Sequence, residues 1–128
     1  MPTILIVEDD ADLARSFIDL LRPLKANVIV ARDGAEALEL LATMKVDCVI
    51  LDLFMPRING WEFLDFRKKS EALTAIRVLV VSAYAGIGLE LPADVTVLAK
   101  PFGASEFVEA VTGVMHDVPG RADMGLVD

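Results

Sequence analysis

Five short apolar runs punctuate the chain: Ile4 to Val7, Val28 to Ala31, Cys48 to Leu51, Val78 to Val81 and Val95 to Leu98. Most are β-branched and continuous rather than alternating, the pattern of strands covered on both faces in a parallel sheet. Between them, apolar residues recur at helical spacing. Leu13, Phe17, Leu20 and Leu21 form one stripe, which Pro23 stops. Asp33 can cap a second helix carrying Ala37, Leu38, Leu41 and Ala42 on one face. A third runs from about Trp61 to Lys69, with its basic residues in the last turn, where they suit the helix dipole. A last helix starts behind Ser105 and carries Phe107, Val108, Val111 and Met115. Between Ser82 and Val95, Gly86, Gly88 and Pro92 leave room for one turn of helix at most, so the fourth helix is expected to be reduced. Strand and helix alternate, which predicts an α/β domain with helices on both faces of a parallel sheet. Residues 1–118 are expected to form that domain and residues 119–128, which lack periodicity, a flexible tail.

Composition narrows the function. The 128 residues suit one domain, and the 55% hydrophobic content argues against intrinsic disorder. Twelve Lys and Arg against twenty Asp and Glu give a net charge of -8, so nucleic acid and anionic membrane surfaces are not expected partners. No apolar run is long enough to span a bilayer, and no basic region precedes an N-terminal apolar stretch; the expected location is the cytoplasm. A single cysteine excludes an internal disulfide, and a single histidine disfavours zinc.

In open parallel sheets, ligands bind beyond the carboxyl ends of the strands. Glu8, Asp9 and Asp10 come after the first run, Asp52 after the third, Ser82 after the fourth, and Lys100 with Pro101 after the fifth. Taken singly, each has a bland explanation: Asp10 or Asp12 as a helix cap, Lys100 as a solvated loop residue. Together they describe a cluster of carboxylates that repel one another until a hard cation such as magnesium joins them, with a lysine opposite. Cys48 reads as packing, His116 as a solvated residue at a helix end, and Trp61 as local packing.

The segments Ile-Leu-Ile-Val-Glu-Asp-Asp, Val-Ile-Leu-Asp-Leu-Phe-Met-Pro-Arg-Ile-Asn-Gly, Leu-Val-Val-Ser-Ala and Lys-Pro-Phe resemble the receiver domain of two-component response regulators, in the chemotaxis-regulator-like single-domain form. The resemblance covers roughly residues 3–115. It implies a five-stranded parallel sheet of order 2-1-3-4-5, an order known from this family. It also implies that Asp52 accepts a phosphoryl group from a phosphohistidine on a histidine kinase or histidine phosphotransfer protein. Asp9 matches the direct magnesium ligand of the acidic pair and Glu8 the one acting through water, with Asp52 and the backbone carbonyl of Phe54 completing the set. Ser82 matches the hydroxyl that bonds the arriving phosphoryl oxygen, and Lys100 the lysine that pairs with it. The Lys100–Pro101 peptide bond is cis in the family. His116 is the only histidine, so the donor is expected on another protein.

Three departures from the family pattern affect output. Val97 stands where many receivers have an aromatic residue. The interval from Ser82 to Lys100 is short. Phe54 and Tyr84 occupy positions where polar side chains can orient a hydrolytic water, so a long-lived aspartyl phosphate is expected. A haloacid-dehalogenase-type phosphatase would want a second carboxylate at position 54, and a flavodoxin-like binder would not place three acids after the first strand. The expectation is therefore a monomeric phosphoryl-accepting switch or relay, not an enzyme, acting on an unidentified downstream protein. An interaction module that is never phosphorylated and a receiver excised from a hybrid kinase are the alternatives.

Overall fold

The structure is a computed structural model and describes residues 1–53, 59–83 and 91–116. Strands β1 (Thr3–Val7), β2 (Asn27–Ala31), β3 (Cys48–Asp52), β4 (Arg77–Ser82) and β5 (Thr96–Ala99) form one parallel sheet in the order β2-β1-β3-β4-β5. This is the expected order. Each strand matches an apolar run to within a residue or so at either end. The three inner strands are buried almost throughout. Strands β2 and β5 have one neighbour each and stay partly exposed, so the both-faces-buried reading holds only for the middle of the sheet.

Helix α1 (Ala11–Leu21) opens on Asp10, whose Oδ1 accepts from the Asp12 and Leu13 N–H groups. It ends where Pro23 enters a short 3-10 turn. Helix α2 (Gly34–Leu41) is capped by Asp33, as expected, through the Glu36 N–H at 2.9 Å. Ala42 is the exception: it is the exposed C-cap rather than part of the apolar face. Helix α3 (Gly60–Lys69) begins with a reciprocal cap in which Asn59 and Glu62 each accept the other's backbone N–H. Helix α4 (Glu71–Thr74) has four residues, and α5 (Ala104–His116) carries the expected Phe107 and Val111, with Val114 buried beside them. The short fourth helix thus precedes β4. Of the stretch after Ser82 where the glycines predict it, residues 84–90 lie outside the described residues, as does the expected tail.

Alternate residues of the inner strands serve opposite layers. Ile4, Ile6, Cys48, Ile50, Leu79 and Val81 pack with Phe17 of α1 and Phe107 of α5. Leu5, Val7, Val49, Leu51, Val78 and Val80 pack with Ala37 of α2 and Phe63 of α3. Each fully buried side chain of this size contributes about 1.5–3 kcal/mol, so the two layers hold the sheet ends in fixed register. Arg67 adds a polar tie on the second face. Its Nε donates to the Ile76 carbonyl, and its guanidinium bonds Asp94 at 2.7 and 3.4 Å.

Candidate functional site

Parallel register puts the strand ends level. Val7 lies opposite Leu51, Asp52 opposite Val81, and Ser82 opposite Ala99. Two backbone bonds extend that register past the strands: the Glu8 N–H donates to the Ala31 carbonyl and the Lys100 N–H to the Ser82 carbonyl, each at 2.9 Å. Glu8, Asp52, Ser82 and Lys100 therefore meet on one edge although up to 92 positions separate them in sequence. Asp52, Glu8 and Ser82 are buried, Asp9 is exposed and Lys100 is half-buried.

One carboxylate oxygen from each of Glu8, Asp9 and Asp52 lies within 4.8 Å of the others. The Lys100 ammonium stands 3.7 Å from Asp52 Oδ2, and the Lys100–Pro101 peptide bond is cis. Glu8 Oε2 accepts the Asp10 N–H at 3.1 Å, while its buried Oε1 has no hydrogen-bond partner among the described residues. Burial pushes the Glu8 carboxyl up to about 8, and the carboxylates of Asp52 and Asp9 add to the rise against the opposing Asp10 N–H. An orphaned buried oxygen beside two more carboxylates is a donor set for a hard divalent cation. The cluster fits magnesium.

Of the sequence-predicted side chains, those of Glu8, Asp9, Asp52 and Lys100 are thus brought together, the backbone register puts Ser82 on the same edge, and Phe54 and Tyr84 fall outside the described residues. Asp10 belongs to the acidic run but serves as the α1 cap, and Asp12 is not a cap. His116 is the exposed last residue of α5, and Cys48 is buried in β3. Sequence reasoning passed over Gly60, which packs on the backbone of Asp52 and Leu53. A glycine directly after Asn59, in the pattern Asn-x-x-Glu of a capping box, marks the helix start but does not reveal that contact. Among the described residues, no helix is long and apolar enough to cross a membrane.

Residues 4–112 match the family described as the response regulator receiver domain. Transcriptional regulatory protein CpxR of Escherichia coli strain K12 is 35% identical over 118 residues, covering 91% of this chain and 50% of CpxR. Sensory transduction protein RegX3 of Mycolicibacterium smegmatis is 33% identical over 133 residues, covering 100% of this chain and 57% of RegX3. The chain spans about half the length of these curated relatives. The receiver domain of a Francisella response regulator superposes with a TM-score of 0.80 at 26% identity, covering 90% of this chain and 97% of that one. The same fold is seen in the receiver domain of a Pseudomonas aeruginosa sensor histidine kinase that holds a magnesium ion in its active site cleft. Its TM-score is 0.80 at 21% identity, with coverage of 91% and 98%.

Proposed function

The chain belongs to the response regulator receiver family of two-component signalling, and from that premise we propose that Asp52 accepts a phosphoryl group from a phosphohistidine on a partner kinase or phosphotransfer protein. The observation that carries this reading is the pairing of Asp52 with Lys100 at 3.7 Å inside a cluster of three carboxylates. In the transfer, an Asp52 carboxylate oxygen forms a bond to phosphorus as the phosphorus–nitrogen bond breaks, and the electron pair of that bond returns to the imidazole. Little covalent help is needed; positioning and charge neutralisation carry most of such a reaction. Lys100, already drawn to Asp52, supplies a cation to the arriving phosphoryl oxygens. The Ser82 hydroxyl, held at the end of β4, donates to another of them.

Glu8, Asp9 and Asp52 would hold magnesium, together with the Phe54 carbonyl that the family resemblance adds. When bound, the ion neutralises negative charge that the carboxylates would otherwise turn against a phosphoryl group. The fit rests on the orphaned Glu8 oxygen and the close approach of the three acids. Once modified, Asp52 alters the strand-end surface, and the changed surface selects a downstream protein. The reading is that of a switch rather than a turnover enzyme.

Incubation with acetyl phosphate and magnesium, followed by intact mass, tests the assignment. One phosphoryl mass is expected on the parent, none on Asp52→Ala, and none when a chelator removes the metal. Equal uptake by Asp52→Ala, or uptake indifferent to chelation, overturns it.

A further inference from the structure

Gly60 is the first residue of α3, and it lies against the backbone that carries Asp52. A Cβ added there would stand 2.6 Å from Leu53 Cα and 2.9 Å from the Asp52 carbonyl oxygen. Both are main-chain atoms, so no side-chain rotation relieves the contact. The Gly60 N–H also donates to the Leu53 carbonyl at 2.9 Å, and Leu53 is wholly buried. The backbone of Gly60 is not in the left-handed region, so the absence of a side chain answers to space and not to conformation. Gly113 in α5 offers the contrast: a Cβ there meets nothing within 4 Å.

We infer that Gly60 is a positioning residue for phosphoryl transfer, seating α3 flush on the Asp52–Leu53 peptide and thereby setting how far the Asp52 carboxylate reaches toward Lys100, Glu8 and Asp9. The inference rests on the reading of Asp52 as the acceptor. Relaxing the 2.6 Å contact to ordinary van der Waals distance requires a shift of nearly an ångström. The helix start cannot simply unwind to provide it, because the Asn59–Glu62 cap fixes the first turn. Nor can the strand yield freely, since Asp52 pairs in register with Val81 of β4. The shift is therefore shared with Asp52, whose distance to Lys100 is already long for an ion pair. A misplacement of about 1 Å can cost on the order of 100-fold in a reaction that depends on alignment.

The test compares acetyl phosphate uptake, at saturating magnesium and per folded molecule, in the parent, Gly60→Ala, Gly113→Ala and the double variant. Gly113→Ala replaces a glycine in an open helix interior and is expected to raise the unfolding midpoint by about 3–6 °C with uptake unchanged. Gly60→Ala is expected to slow uptake roughly 10- to 100-fold. In the double variant stability returns toward that of the parent while uptake stays slow, and this variant carries the test where Gly60→Ala alone leaves too little folded protein. Uptake by the double variant at the parent rate makes Gly60 a merely structural residue and overturns the inference alone. A parent that takes up no phosphoryl overturns the reading of Asp52, and the role of Gly60 with it.

Discussion

Glu8 is the residue on which the acidic site depends most before any ion arrives. It is 2% exposed, one oxygen has no partner among the described residues, and its carboxyl is pushed up to about 8 from a usual 4.5. A carboxyl whose folded value is raised favours the protonated folded form, so the metal-free protein loses stability as pH climbs from about 4.5 to about 8. Glu8→Gln keeps the shape and removes the charge. Its metal-free unfolding midpoint is expected to exceed that of the parent at pH 8, the two converging near pH 5. Its magnesium affinity is expected to fall by about 10-fold or more. Thermal melts across pH and a magnesium titration check both arms. A variant no more stable at pH 8 contradicts the burial of an uncompensated charge at Glu8.

Among the elements, the strands were the most legible. Their apolar runs are continuous, and only the middle of a parallel sheet requires that. The cap at Asp33 was readable too, and the first cap down to a choice between Asp10 and Asp12, because capping is local chemistry. The site residues could be gathered from the positions at the carboxyl end of each run, yet it took the family resemblance to say which acid accepts and which bind metal. The contacts that stayed hidden are tertiary. Gly60 is set by a contact with Leu53 that no spacing announces, and Arg67 finds Asp94 across 27 positions through a fold that must exist first.

That last pair ties α3 to the turn before β5. Arg67 is buried while Asp94 faces water, and the guanidinium holds the Asp94 carboxyl below its usual 3.8. Asp94→Asn leaves a buried cation poorly paired. A loss of about 1–2 kcal/mol is expected at pH 7, less than for a fully enclosed pair because solvent screens the aspartate. A lowered carboxyl value stabilises above the unfolded value and ceases to do so as pH falls through the folded one. The gap between parent and variant should therefore narrow below about pH 4. Urea unfolding at several pH values measures it, and a gap that does not change with pH contradicts the pairing.

For the molecule as a whole, chemistry sits on one sheet edge and cohesion lies in two apolar layers beneath it. Strand β3 belongs to both: its last residue is Asp52, and its first, Cys48, is packed in the layer with α1 and α5. Cys48 is the sole cysteine, is fully buried, and has its thiol pushed up to about 12, chiefly by burial. A thiol reagent needs access and a thiolate, and the folded chain grants neither. Alkylation of Cys48 is thus expected to follow opening of the central strand, in a native-state labelling experiment on a cysteine the chain already carries. An ion that binds only the folded form lowers the open population by the factor 1 + [L]/Kd. Under fast-reclosing conditions, alkylation should slow in that proportion as magnesium is added, and should ignore magnesium in Asp52→Ala. A labelling rate blind to magnesium in the parent shows that Cys48 is reached without disturbing the acidic edge. A slowing one turns the sulfur at one end of β3 into a gauge of ion occupancy at the other.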